Sequence, residues 1–257
     1  MRIGLIAPVS YLEITAASTY HLVLAHIYQK SEAYRKHYKN MVRRGDTVIL
    51  DNSAYELKEG LSFKDLYTCA ADLKPTHVVL PDVRFDRAET IKRSKEAIAY
   101  FDSMEFHFWT NIAVPQGKNQ REIEWCYDEL ADNPRIGGFG LYEEIGAVAQ
   151  GISRYEYLRK FEARKEFKKG RFYHMLGMEE DVKDVQLLNT LPWVCGIDSC
   201  KPIVYGLNSI KISRVQGAHG AYPHRPENYF DLSPQDNPDL NWHQADVNCR
   251  EMLRWVK

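Results

Sequence analysis

Short apolar runs alternate along this chain with longer amphipathic segments, and this rhythm constrains the fold more than any other feature. Seven runs rich in β-branched residues are predicted strands, at 3–8, 47–51, 77–82, 108–116, 136–141, 172–177 and 193–198. The segments with helical periodicity include 63–73, 86–100, 119–131, 155–168 and 180–189. Runs that are apolar throughout are typical of strands buried on both faces of a parallel sheet. The alternation therefore predicts a series of βα units.

We predict an α/β fold, a (β/α)8 barrel of the TIM type, forming a single domain over residues 1–215. Residues 216–257 are predicted to be a C-terminal extension, a loop and a last helix at 242–256 packed on the barrel. The eighth strand is predicted at 209–215, although Lys211 and Arg214 interrupt its apolar pattern. A doubly wound open sheet is the alternative. The barrel is favoured because no G-x-G-x-x-G turn follows the first strand and because polar residues follow many strands.

Charge and composition limit the partners and the location expected for this protein. The formal net charge of the 257 residues is −1, so nucleic-acid binding would require a local basic face. The segments 30–44 and 159–171 are basic and helical in pattern, and each fits either a phosphate contact or a solvated helix face. The first apolar run is too short for a signal peptide, and no run is long enough to span a membrane. We therefore expect a cytoplasmic protein without membrane contact.

The five cysteines contain no C-x-x-C pair. Their spacing supports neither a disulfide framework nor a cysteine zinc cluster, and we expect free, buried thiols.

Polar residues stand where the predicted strands end. They are Asp51 with Asn52, Asp82, Gln116, the pair Gly137 and Gly138, and Asp198 with Ser199. In a β/α barrel the carboxyl ends of the strands surround the active site, so these residues are expected to converge. A carboxylate after a buried strand is costly unless it is paired, hydrogen-bonded or functional, although any one of them can also cap a helix. Taken together, these strand-end residues indicate a functional site rather than a series of helix caps.

This set of groups fits glycosyl transfer to and from a purine. Two carboxylates can perform retaining chemistry, in which one attacks C1′ and the other handles the proton. A third carboxylate can accept hydrogen bonds from the amidine-like edge of guanine. A glutamine amide can bond in both directions, and backbone N–H groups at two adjacent glycines can approach a carbonyl oxygen closely.

At these residues the sequence resembles the tRNA-guanine transglycosylase superfamily. The matching motifs, in chain order, are DNSAY at 51–55, Asp82, PQG at 115–117, GGF at 137–139 followed by Glu143 and Glu144, HMLG at 174–177, and GIDSC at 196–200. Three features differ from the tRNA enzymes: the cysteine-histidine zinc subdomain is missing, Asn52 replaces a serine, and Lys201 occupies the position of a second aspartate. The chain is more similar to the compact, zinc-lacking branch of phages and bacteria that inserts 7-deazaguanines into DNA.

The resemblance implies a pentosyltransferase that replaces guanine in DNA with a queuosine-related 7-deazaguanine base, such as preQ0 or a derivative. The reaction would pass through a covalent aspartyl-glycosyl intermediate, with no cofactor and no metal. The implied catalytic residues are Asp198, the nucleophile, and Asp51, which would handle the proton. The implied substrate-binding residues are Asp82, Gln116, Gly137, Gly138, Asn52 and Phe139.

Three alternatives stay open. The acceptor can be tRNA instead of DNA, with the same chemistry. The chain can be a metal-dependent barrel hydrolase with Asp51, Asp82, Asp198 and His174 around an ion, or a barrel that binds nucleic acid without catalysis. Further candidate groups are Tyr55, Phe139 or Tyr142 for stacking on the base, and His219, His224 and His243 for a metal site near the C-terminus.

Overall fold

The computed structural model describes residues 1–105, 107–179, 182–215 and 222–256. Its strands are β1 (Arg2–Leu5), β2 (Tyr20–Leu24), β3 (Thr47–Asp51), β4 (His77–Val79), β5 (Thr110–Ala113), β6 (Ile136–Tyr142), β7 (Phe172–Leu176) and β8 (Val194–Ser199). Its α-helices are α1 (Ala25–Lys30), α2 (Glu32–Arg44), α3 (Ala54–Leu57), α4 (Phe63–Leu73), α5 (Arg87–Asp102), α6 (Gln120–Ala131), α7 (Ile145–Gln150), α8 (Arg154–Glu162), α9 (Lys183–Leu188), α10 (Lys201–Leu207) and α11 (Trp242–Arg254). Short 3-10 helices lie at Val9–Ala17, Ile212–Arg214 and Tyr229–Asp231.

The strands belong to one eight-stranded sheet in the order β1-β8-β7-β6-β5-β4-β3-β2. The strand pairs β1–β8, β3–β4, β4–β5 and β5–β6 are parallel. Helices alternate with the strands along the chain. This arrangement confirms the predicted α/β class, a (β/α)8 barrel of the TIM type.

Seven of the predicted strands are present, and the predicted eighth strand is wrong. Residues 209–215 contain a turn at Ser209, whose φ is +59°, and a 3-10 helix. The missing strand is β2, which is buried along its whole length. Its sequence, YHLVL, runs into helix α1 at the next residue with no turn residue between them. The apolar pattern of β2 therefore merges with the pattern of the helix that follows.

Several helices begin where the sequence supplies a capping side chain. Ser31, Asp86 and Asn119 each accept a hydrogen bond from a backbone N–H in the first turn of the helix that follows. Ser153 and Glu156 form a reciprocal capping box at the start of α8. These caps fix where the helices begin, and so fix the length of the loops that carry the strand-end residues.

The chain folds as two compact units. The terminal unit comprises Met1–Leu22 and Met175–Lys257, and the central unit comprises Val23–His174. None of the helices in the described part of the chain is long and apolar enough to cross a membrane.

The central unit has an aromatic core beneath β6. The ring of Phe139 packs 4.5 Å from the Tyr127 ring and 5.8 Å from the Tyr173 ring, measured between centroids. The hydroxyls of Tyr127 and Tyr173 form a buried hydrogen bond of 2.7 Å. Both tyrosines are therefore apolar packing residues whose polar ends satisfy each other.

The terminal unit joins the first strand to the last part of the chain. Strand β1 pairs with β8 in register, with Gly4 opposite Asp198. The Tyr229 hydroxyl donates to the Ile6 carbonyl at 2.6 Å, and the buried Asn248 amide donates to the Ile210 carbonyl at 2.8 Å. Helix α11 and the segment before it are thus tied to this unit by buried polar contacts. The predicted boundary between 215 and 216 lies at the edge of 216–221, which are outside the described residues.

All five cysteines are free thiols, as predicted. Cys69, Cys126 and Cys249 are buried, whereas Cys195 and Cys200 are only partly buried. The expectation of burial is therefore correct for three of the five.

Candidate active site

Asp82 is a buried carboxylate held between two side-chain amides in the central unit. It stands three residues after the end of β4 and is 5% exposed. Its Oδ1 accepts a hydrogen bond of 2.7 Å from Asn52 Nδ2, and its Oδ2 accepts one of 2.7 Å from Gln116 Nε2. Three of the predicted site residues, which follow three successive strands of the sheet, are therefore in direct contact.

Backbone groups fix the orientation of both amides. The Asn52 Oδ1 accepts from the Ala54 N–H at 2.7 Å, and the Gln116 Oε1 accepts from the Phe85 N–H at 3.2 Å. With their oxygens occupied in this way, both amides must present their NH2 groups to the carboxylate. Asn52 Nδ2 also donates to the Leu80 carbonyl at 2.7 Å.

Burial and hydrogen bonding act in opposite directions on this carboxyl. Burial raises the pKa of the Asp82 carboxyl above its ordinary value, because the charged form loses its hydration. The hydrogen bonds from Asn52 and Gln116 lower the pKa, because they stabilise the charged form, but burial dominates. A carboxylate has about four lone-pair positions, so Asp82 can accept further hydrogen bonds from a ligand after binding both amides.

Asp51 is the last residue of β3 and is buried. Its Oδ2 accepts a hydrogen bond of 2.7 Å from the Ser53 N–H, two residues further along. Ser53 has a left-handed φ of +63° and precedes helix α3, and its side chain makes no capping bond to that helix. The Asp51 carboxylate thus stabilises a tight turn between strand and helix rather than the helix end itself.

Asp198 lies near the end of β8 in the terminal unit and is 4% exposed. Its Oδ1 accepts from the Gly177 N–H at 3.2 Å, which orients the carboxylate. The next residue, Ser199, accepts from the Lys201 N–H at 3.0 Å, and the Lys201 ammonium donates to the Met178 carbonyl. The residue that precedes helix α10, Cys200, makes no side-chain capping bond to that helix.

Gly137 and Gly138 lie on β6, where neighbouring side chains and backbone leave no room for a Cβ. A Cβ on Gly138 would stand 2.6 Å from the Phe172 carbonyl oxygen, and one on Gly137 would overlap the Thr110 side chain. Sheet packing alone therefore disfavours a side chain at Gly138, and at Gly137 a Cβ would require the Thr110 side chain to move. Phe139, the third residue of this motif, is fully buried in the aromatic core beneath β6.

Asp82, Asn52 and Gln116 form what we call the Asp82 cluster. Two features next to this cluster were not predicted from the sequence. Phe85, whose N–H anchors Gln116, has a left-handed φ of +61°, and nothing in the sequence marks a non-glycine residue for that conformation. Tyr142, considered only for stacking, has a hydroxyl that forms no hydrogen bond within the described residues. Burial raises the pKa of Tyr142, and the charges of Glu144 and Asp82 raise it further.

The described residues offer no cluster of metal ligands. Within these ranges, no group of three or more His, Cys, Asp or Glu side chains is arranged to hold a metal ion. His174 is buried within β7. His219, one of the predicted C-terminal histidine ligands, lies outside the described residues.

Comparison of the chain with protein-family models found no match, and comparison with curated proteins found none.

Proposed function

We propose that this protein is a base-exchange transglycosylase, which replaces guanine in DNA with a 7-deazaguanine base through a covalent aspartyl-glycosyl intermediate. The observation that supports it is the buried Asp82 carboxylate, clamped by the Asn52 and Gln116 amides. The described residues give this buried carboxylate no ion-pair partner, and a ligand that donates hydrogen bonds to it would offset part of the cost of its burial.

Guanine is a suitable ligand for a carboxylate of this kind. Its Watson–Crick edge carries two adjacent N–H donors, which a single carboxylate can accept together. Adenine presents a ring-nitrogen acceptor at the corresponding position, which the carboxylate repels, so the site would discriminate by repulsion as well as attraction. A 7-deazaguanine carries the same donor edge. One pocket can therefore hold the leaving and the incoming base in turn.

The proposed chemistry assigns separate roles to the other two aspartates. An Asp198 oxygen attacks C1′ of the target nucleotide, the bond from C1′ to the base nitrogen breaks, and Asp51 delivers a proton to the departing guanine. Asp51 then removes the corresponding proton from the incoming base, whose nitrogen attacks C1′ and expels Asp198. Protons and charges balance over one cycle, so the exchange requires no cofactor and no energy source.

The target base must leave the stack before either step. Enzymes that act on a base reach it only in single-stranded nucleic acid or after flipping it out of a duplex. The choice of DNA as acceptor depends on the resemblance to the compact branch of the superfamily, and tRNA is the competing acceptor.

The first experiment tests the reaction and the nucleophile. The protein is incubated with a labelled 7-deazaguanine and, separately, with duplex DNA, single-stranded DNA and tRNA at one salt concentration. Asp198→Asn keeps the shape of the side chain and the acceptor for Gly177, but removes the nucleophile, so incorporation should fall below detection. Asp239→Asn, an exposed change of the same type, should keep the wild-type rate.

Two results would contradict the proposal at different points. Incorporation by Asp198→Asn at the wild-type rate would remove Asp198 as the nucleophile. If the wild type incorporates the base into none of the three acceptors, the proposed base exchange is wrong. If it incorporates the base into tRNA alone, the acceptor is tRNA and not DNA.

The second experiment tests the base-reading role of Asp82. Asp82→Asn replaces an acceptor-only group with an amide, so it should lose one charge-assisted hydrogen bond to guanine. A loss of that size, about 1.5–3 kcal/mol, corresponds to a kcat/KM lower by about 10- to 150-fold. An unchanged kcat/KM for guanine exchange would show that the carboxylate does not contact the base.

A further inference from the structure

Two exposed aromatic side chains of the central unit each lie against an arginine. Tyr55 in α3 is 64% exposed and Trp125 in α6 is 51% exposed. The Arg84 guanidinium carbon lies 5.4 Å from the centre of the Tyr55 ring, and that of Arg87 lies 3.7 Å from the centre of the Trp125 ring. About half of the Trp125 side chain is open to solvent, so its ring is accessible to a ligand as well as to Arg87.

The two arginines are connected to the Asp82 cluster through the backbone. They stand two and five residues after Asp82, and the Phe85 N–H between them donates to Gln116. Three residues span at most about 11 Å, so Arg84 and Arg87 lie close enough to contact one short stretch of a ligand. Arg84, Arg87 and Trp125 together form what we call the arginine–tryptophan surface.

The charges on this surface are available to an anion. Arg84 pairs with Glu144 at 2.5 Å, and both side chains remain more than one third exposed. Exposed ion pairs contribute little to stability, so a phosphate can replace Glu144 at small cost. Arg87 forms no ion pair with any residue that the structure describes.

Ion pairs neutralise part of the charge of the two basic segments predicted from the sequence. In the segment 30–44, Lys39 pairs with Asp72 at 2.6 Å and Arg44 pairs with Asp46 at 2.5 Å. In the segment 159–171, Arg164 pairs with Asp128 at 2.7 Å. These cations already have carboxylate partners, so an anionic ligand gains less from them.

We propose that the arginine–tryptophan surface binds single-stranded DNA next to the exchanged nucleotide, an inference that rests on the proposed function. Arg84 and Arg87 contact phosphates, with Arg84 exchanging Glu144 for the ligand, and the indole of Trp125 stacks on an unpaired base. A single strand is the fitting ligand because its base faces are open to stacking, whereas in a duplex they are covered. Arginine also binds phosphate through two parallel hydrogen bonds.

The test measures binding of a fluorescent single-stranded oligonucleotide by anisotropy over a range of salt concentrations. Each phosphate contact to a single strand contributes about 0.7 to the slope of log K against log salt, so Arg84→Gln and Arg87→Gln should each lower the slope by about 0.7. Trp125→Ala should weaken binding by about 5- to 150-fold without changing the slope. Glu144→Gln should tighten binding, because it removes the competitor for Arg84.

Lys36→Gln is the matched control, since it removes one exposed charge from the basic helix α2. It should leave both affinity and slope unchanged. Thermal unfolding of every variant checks that the fold is retained, which the exposure of Trp125 leads us to expect.

Several results would overturn the inference. One is a slope that falls in Lys36→Gln but not in Arg87→Gln. Others are undiminished binding by Trp125→Ala, equal affinity of the wild type for duplex and single strand, or no binding at all. Failure of the proposed function can be distinguished from failure of this inference. In that case the wild-type protein would bind the single strand through this surface but would not exchange a base. Base exchange with unaltered binding by the variants would retain the function and reject the surface.

Discussion

The substitution Asn52→Asp tests the contact at the centre of the candidate site. It keeps the side-chain shape but places a second carboxyl oxygen where the Asn52 amide now stands 2.7 Å from Asp82 Oδ1. Two ionised carboxylates at that distance would repel each other by about 6 kcal/mol at an effective dielectric constant of 20. Taking up one proton at pH 7 costs only about 4 kcal/mol, given an unfolded pKa near 3.9. The folded variant should therefore bind a proton that the unfolded variant does not.

This proton uptake determines both the size and the pH dependence of the effect. The variant should be less stable than wild type by about 4–5 kcal/mol at pH 7, which includes about 1 kcal/mol for the lost bond to the Leu80 carbonyl. Because the folded pair has a raised pKa, its free energy of unfolding should increase as the pH falls. The deficit should shrink by about 1.4 kcal/mol per pH unit between pH 7 and pH 4.

The assay is urea unfolding followed by tryptophan fluorescence and circular dichroism at half-unit steps from pH 4 to pH 8. Burial also raises the pKa of Asp82 in the wild type, so the wild-type curve is subtracted at each pH. Asn119→Asp is the control, because this exposed cap of α6 works about equally well with either residue. A deficit for Asn52→Asp below about 1 kcal/mol that does not vary with pH would refute the contact.

Two further predictions concern packing and thiol reactivity. Gly138→Ala should lower the free energy of unfolding by about 1–3 kcal/mol, because its Cβ meets the Phe172 carbonyl oxygen. Gly137→Ala should lower it less, because its Cβ meets only the Thr110 side chain. Equal losses of stability in urea unfolding would contradict this prediction. Alkylation of the folded protein at pH 8, counted by mass spectrometry, should modify at most Cys195 and Cys200, since burial raises the pKa of the other three thiols. Rapid modification of all five without denaturant would show that the core is open.

Local pattern was sufficient for most of the secondary structure. The strand at 47–51 and the helix at 63–73 match the structure residue for residue. Both are bounded by residues whose preferences are local, such as the Ser62 cap of α4. Strand β2 shows the limit of such patterns, because its five buried residues continue directly into the helix after it with no turn residue between them. Only its pairing in the sheet identifies it as a strand.

Which polar residues follow the strands can be read from the sequence alone, since apolar runs and the residues that end them are adjacent in the chain. Which of these residues touch is a property of the folded chain. The Asp82 carboxylate binds amides that are 30 and 34 residues away, and those amides are oriented by the backbone N–H groups of Ala54, at the start of α3, and of Phe85, in the loop before α5. Likewise, only packing buried Phe139 and exposed Trp125. Contacts of this kind depend on how loops from separate strands meet, and no local propensity encodes that meeting.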